Sequence, residues 1–84
     1  MDYQRDSVGR IVTEARKERG LKTQSELASR LKVDPVYVCN IERNRQLPSI
    51  ELGAQIAKAL SLDPREFIFL MLRTKYPQLS EIFR

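Results

Sequence analysis

The sequence predicts an all-α domain of five short helices followed by a C-terminal tail. Three observations predict this class: apolar residues recur at helical spacing, capping signals precede the apolar segments, and no segment alternates as a strand would. A chain of 84 residues is long enough for one domain only. We therefore divide it into an N-terminal arm, 1–6, a helical domain, 7–74, and a tail, 75–84.

The first two helices have clear start or stop signals. The first is predicted over about 7–19, because apolar residues recur at i, i+3, i+4 and i+7 from Val8, and Gly20 then stops it. The second begins at a capping box, in which Thr23 accepts from the backbone N–H of Glu26 and the Glu26 side chain reaches back.

The third and fifth helices share one start signal. Asp34-Pro35 opens the third helix, and Asp63-Pro64 opens the fifth, with Asp as the cap and Pro at the first helical position. The fifth helix runs to about Thr74 and is broken by Pro77, after which the tail has room for one short helix.

The fourth helix follows a polar loop. It is predicted from Ser49 or Ile50 to Leu60, with one apolar face toward the core. Gly53 in this helix suggests either a close approach to a neighbouring helix or a weakly packed spot.

Composition restricts the classes of function. The formal charge of +4, from 15 basic and 11 acidic residues, favours a polyanionic partner, although an ordinary solvated surface remains an alternative. With no His and one Cys, the sequence offers neither zinc-ligand spacing nor a base–nucleophile pair, so we expect no metal, no cofactor and no enzymatic activity. The N-terminus lacks an apolar signal segment and the longest apolar run is too short for a bilayer, so a cytoplasmic protein is expected.

Only three residues separate the second helix from the third. Two helices this short are marginal alone, so their closeness needs a tertiary reason. A helix, a tight turn and a second helix over about 23–43 is the helix-turn-helix arrangement, in which the second helix projects toward the major groove of DNA.

Three stretches carry a family resemblance: "GRIVTEARKERGLKTQSELA", "VDPVYVCNIERNRQLPS" and "IAKALSLDPREF". With them, over about residues 8–68, the chain resembles the phage-repressor-like, or XRE-type, helix-turn-helix family. The resemblance implies a lambda-repressor-like fold and a small transcriptional regulator, of repressor or controller type, that binds double-stranded DNA sequence-specifically through its third helix, about 35–43.

The resemblance also implies which residues contact bases. These are Pro35, Val36 and Asn40, with Asn40 suited to adenine and Val36 to a thymine methyl group. A different interpretation stays open, in which Val36 and Tyr37 form an apolar patch for a protein partner. The second candidate function is therefore a protein-interaction module or antitoxin with weak or no DNA binding.

A second group of positions corresponds to DNA-backbone contacts in the family. They are Thr23, Gln24, Tyr37, Arg43, Arg45, Lys22 and Lys32. The alternative for each basic residue is a screened surface charge. Arg5, in the 1–6 arm, is a further candidate for a groove contact.

Other positions have a structural meaning in the family. Arg16 and Glu42 are expected to form an ion pair between the first and third helices. Glycine is usual in the family at the positions of Lys32 and Asn44. If the backbone at Lys32 is left-handed, as glycine would allow, we expect the lysine to be strained.

The fifth helix is apolar around its whole circumference, which favours burial against a second copy of the chain. The predicted homodimer would bind a twofold-symmetric operator. Its predicted interface comprises Phe67, Phe69, Leu70, Met71, Leu79, Ile82 and Phe83. The alternative is a monomer whose tail folds back over Phe69 and Met71.

Overall fold

The computed structural model describes residues 7–82, and these residues form six α-helices with no strand among them. The helices are α1 Val8–Glu18, α2 Gln24–Leu31, α3 Pro35–Glu42, α4 Ile50–Leu60, α5 Pro64–Lys75 and α6 Leu79–Ile82. The all-α prediction is confirmed, and the tail supplies the single-turn α6. The predicted arm, 1–6, and the predicted interface residue Phe83 lie outside the described residues.

Polar caps determine where the five longer helices begin. The cap residues are Ser7, Thr23, Asp34, Ser49 and Asp63, and each side chain accepts a hydrogen bond from a backbone N–H two or three residues further on. These bonds satisfy N–H groups that have no partner inside the helix. Local chemistry therefore places every start within a residue of its predicted position.

The core holds α3 by one face only. α2 packs mainly on α3, α4 on α5, and α1 contacts α3, α4 and α5. Val38 and Ile41 of α3 are each 1% exposed among the apolar residues of the other helices. The opposite face of α3 is left at the surface of the domain.

Gly53 allows α4 and α5 to approach closely, which is the first of the two predicted alternatives. A Cβ atom at this position would lie 2.5 Å from the sulfur of Met71 and 3.1 Å from Cδ1 of Ile68. Met71 therefore occupies space that any larger residue at 53 would need.

One part of the predicted dimer surface is corrected. Phe67, Leu70 and Met71 are only 3%, 3% and 4% exposed, because α5 turns this face toward α1 and α4. They belong to the core of a single chain and offer almost no surface to a second copy. Phe69 is 39% exposed and Ile82 66%, whereas Leu79 is half-buried.

No helix within residues 7–82 has the length and apolar character needed to cross a membrane.

Candidate nucleic-acid interface

The outward face of α3 is formed by Val36, Cys39 and Asn40, which lie opposite the buried Val38 and Ile41. Val36 is 65% exposed, whereas Cys39 and Asn40 are half-buried. Arg43 ends the helix on the same side. Of these, Cys39 was missed as a candidate from the sequence, although its spacing of three residues from Val36 places it on the same face.

The turn before α3 is closed at both ends. The N–H groups of Lys32 and Val33 donate to the carbonyls of Ser29 and Ala28, at 3.2 and 3.0 Å, in the two-bond pattern of a Schellman motif. Lys32 has the expected left-handed conformation, with φ 58° and ψ 43°. Asp34 then caps α3 through a 2.8 Å bond from the N–H of Val36. These bonds hold the turn between α2 and α3 closed.

The ion pair predicted between Arg16 and Glu42 is present. Nε of Arg16 lies 2.8 Å from Oε2 of Glu42, and their side chains are 6% and 4% exposed. Nη1 of Arg16 also donates to the carbonyl of Leu21 at 2.8 Å. The pair therefore ties α3 to α1 and to the loop that leads into α2.

The environment of Glu42 favours its charged form. Burial by itself raises the pKa of Glu42, but hydrogen bonds from Arg16, Gln24 and Thr13, together with the positive charge of Arg16, outweigh it and hold the pKa below its usual range. Because Gln24 belongs to α2 and Thr13 to α1, one carboxylate joins three helices.

Gln24 lies at the N-terminus of α2 and contacts α3 directly. Its Nε2 donates to Oε1 of Glu42 at 3.2 Å, and its side chain is half-buried. The neighbouring Thr23 is the cap of α2 and accepts from the N–H of Glu26 at 3.1 Å. The Glu26 side chain reaches back one residue further than expected, to the N–H of Lys22 at 2.9 Å.

The basic residues predicted to meet a DNA backbone are all exposed. Lys22 precedes α2, Lys32 lies in the turn, and Arg43 and Arg45 follow α3. Tyr37 is half-buried and packs against the core, so only part of its ring is at the surface. The structure thus places the cations around α2 and α3.

Asn44 holds the loop after α3 against α1, a role that sequence reasoning missed. Its φ is 59°, its Oδ1 accepts from the N–H of Gly9 at 2.9 Å, and its Nδ2 donates to Oγ of Ser7 at 3.0 Å. Gly9 is required here because a Cβ atom would overlap the carbonyl of Glu42. The signal for this contact was the glycine inside an otherwise regular helix.

A capped helix, a closed three-residue turn and a second, projecting helix define a helix-turn-helix module. The chain belongs to the helix-turn-helix family, whose model matches residues 12–67, and the predicted resemblance is thereby confirmed.

Two relatives extend this comparison. The chain is 41% identical over 61 residues to an uncharacterized HTH-type transcriptional regulator of Methanothermobacter thermautotrophicus, a match that covers 73% of this chain and 87% of the relative. It is 38% identical over 56 residues to the ImmF control region 10 kDa protein of Bacillus phage phi105, covering 67% of this chain and 61% of that protein. No solved structure matches the chain significantly.

Proposed function

We propose that this protein binds double-stranded DNA sequence-specifically and acts as a small transcriptional regulator of the repressor or controller type. The observation that carries this proposal is the outward face of α3, which reaches the surface beside the exposed Arg43 and Arg45 while the opposite face is anchored in the core. The major groove of B-DNA, about 12 Å wide, admits an α-helix. The names of both relatives, a transcriptional regulator and a phage control region protein, support the same function.

Base contacts come from Pro35, Val36 and Asn40. Asn40 presents an amide that can bond to N6 and N7 of adenine, while Pro35 and Val36 offer apolar contact. Pro35 and Val36 lie in the first turn of α3, the part of a recognition helix that contacts base edges, and Asn40 lies one turn further along the same face as Val36.

Backbone contacts come from the residues around α2 and α3. The Nε2 of Gln24 has a second N–H besides the one bonded to Glu42, and the hydroxyl of Thr23 keeps its proton while accepting from Glu26. Both can therefore donate to a phosphate at the N-terminus of α2, where the helix dipole favours an anion. The exposed side chains of Lys22, Lys32, Arg43 and Arg45 add further phosphate contacts, and the half-buried Tyr37 adds one through its hydroxyl.

The regulator acts as a homodimer in this proposal. The surface that supports pairing consists of Phe69, Leu79 and Ile82, and we refer to it as the C-terminal face. Phe69 keeps 39% of its surface exposed although α6 packs on α5, and this remaining apolar surface supports pairing with a second copy. Two α3 helices related by a twofold axis would bind half-sites about 34 Å apart.

Selection from a random pool of duplexes tests the proposal. Purified protein should enrich a twofold-symmetric sequence, and its affinity should fall with salt at a log–log slope of about −0.9 for each phosphate contacted. Arg43→Ala should reduce this slope by about one, whereas Lys58→Ala, which removes an equal charge from the last turn of α4, should leave it unchanged. No enrichment, or equal slopes for both variants and the parent, would contradict the proposal.

A second candidate function is a protein-interaction module, such as an antitoxin. The observation that favours it is the 65% exposure of Val36, an apolar residue at the tip of α3. An apolar partner surface should respond little to salt, so the same titration separates this candidate from DNA binding.

A further inference from the structure

Val36 is the most exposed residue on the outward face of α3, and it carries only methyl groups. We propose that α3 uses Val36 to detect the C5 methyl group of a pyrimidine. Thymine is then preferred over uracil, and 5-methylcytosine over cytosine, at the same position of the bound duplex. This inference rests on the proposed DNA-binding function and names the chemical group that the site recognises.

The polar groups at the start of α3 are already occupied. Pro35 has no N–H, the N–H of Val36 donates to Oδ1 of Asp34 at 2.8 Å, and the N–H of Tyr37 donates to the carbonyl of Asp34 at 2.9 Å. The backbone of this first turn therefore has no free donor for a base edge. Pro35 and Val36 present carbon atoms alone.

The chemistry of the groove limits what these carbon atoms can recognise. In the major groove the C5 methyl of thymine is the apolar group on a base edge, and 5-methylcytosine carries the same group at the same position. The two bases differ at position 4, as a carbonyl acceptor against an amino donor, and Val36 has no hydrogen-bonding group that could tell them apart. The contact therefore reports the methyl group and not the identity of the pyrimidine.

Asn40 fixes where this contact falls. Val36 and Asn40 are four residues apart and share the outward face, about 6 Å from each other along the helix axis. Base pairs are spaced about 3.4 Å apart, so a helix lying along the groove places the methyl contact about two steps from the adenine bound by Asn40.

Base substitution in the selected duplex tests the inference. Each pyrimidine is replaced in turn by thymine, uracil, cytosine and 5-methylcytosine, with the matching purine opposite, and the affinities of parent and Val36→Ala are measured. At one position in each half-site the parent should show thymine-to-uracil and 5-methylcytosine-to-cytosine ratios of about fourfold, the effect of burying one methyl-sized group. Each ratio compares two duplexes that carry the same purine opposite the tested base, so the choice of purine does not affect the ratio.

Val36→Ala should reduce both ratios to about one without unfolding the protein, since Val36 lies outside the core. Ile50→Ala is the matched control: it removes another apolar side chain, 57% exposed but outside α3, and should keep both ratios. Ratios near one at every pyrimidine, or ratios that persist in Val36→Ala, would overturn the methyl contact while leaving DNA binding in place. Failure to bind any duplex would overturn both proposals.

Discussion

The guanidinium of Arg16 donates to the carboxylate of Glu42 at 2.8 Å, although the two residues are 26 positions apart in the chain. Glu42 is the last residue of α3, and the same carboxylate accepts from Gln24 at the start of α2. The contact therefore fixes how α3 lies against the two helices that carry it, and with it the direction of the outward face.

Removing one partner of this pair should destabilise the protein strongly. Glu42→Leu leaves the charge of Arg16 buried without its partner, and we expect the free energy of unfolding to fall by about 3–5 kcal/mol. The double variant Arg16→Met/Glu42→Leu should lose less free energy of unfolding, relative to the parent, than Glu42→Leu alone, because no buried charge remains. Urea denaturation of the three proteins gives these values.

A solvent-exposed ion pair within α1, the helix that carries Arg16, provides the control. Arg10 and Glu14 are also in contact at 3.0 Å, but their side chains are 62% and 48% exposed. Glu14→Ala should change the free energy of unfolding by no more than about 0.5 kcal/mol. A similar loss for Glu14→Ala and Glu42→Leu would show that burial is not what makes the Arg16 contact important.

The lowered pKa of Glu42 predicts a loss of stability in acid. A carboxyl group whose pKa is lower in the folded than in the unfolded protein binds its proton more weakly when folded. Its contribution is complete above the ordinary pKa of 4.5 and is lost as the pH falls through the lower, folded value. Urea denaturation from pH 7 downward should therefore show a smaller loss in Glu42→Gln than in the parent, and identical curves would be inconsistent with this assignment.

Lys32 is predicted to lower the stability of the fold and to raise its affinity for DNA. Its left-handed conformation favours glycine, so Lys32→Gly should raise the free energy of unfolding by about 1 kcal/mol while weakening DNA binding through loss of a phosphate contact. Ser61→Gly is the matched variant, because Ser61 has a φ of 56° at the end of α4, away from the proposed interface. Ser61→Gly should gain stability without losing DNA affinity. If Ser61→Gly lost as much DNA affinity as Lys32→Gly, a phosphate contact by Lys32 would be contradicted.

Asn40 and Arg43 should affect DNA binding in different ways. Asn40→Ala should relax the preference at one base pair by about 1–3 kcal/mol, whereas Arg43→Ala should weaken all duplexes similarly. Affinities for a set of single-base variants of the selected sequence separate the two patterns. Unchanged preference in Asn40→Ala would remove this residue from the proposed base contacts.

The proposed dimer depends on Phe69. Phe69→Glu places a charge on the C-terminal face and should shift sedimentation toward the monomer, while the core residues of α5 keep the fold. Val36→Glu introduces the same charge on the outward face of α3 and should leave the oligomeric state unchanged. A parent protein that sediments as a monomer at high micromolar concentration would contradict the dimer.

Local signals made most of the fold predictable. Asp34 and Asp63, each followed by proline, mark helix starts with information from adjacent residues only, and the structure has both starts where they were predicted. Gly20 likewise has the left-handed conformation, with φ 76°, expected of a helix stop.

Contacts between distant residues were harder to predict. The bond from the N–H of Gly9 to Asn44 joins residues 35 apart, and the glycine that signals a close contact does not identify Asn44 as its partner. The buried side of α5 was also ambiguous, because an all-round apolar helix has no polar face to show its orientation. Only the packing of α1 and α4 separates Phe67, which is buried, from Phe69, which is not.

Amide chemical shifts recorded while the selected duplex is added test most directly whether α3 enters the groove. The largest changes should fall on Val36, Cys39, Asn40 and Arg43, with smaller ones at Gln24 at the start of α2. Shifts confined to the C-terminal face, or an unperturbed α3 at saturating duplex, would contradict DNA recognition by this helix.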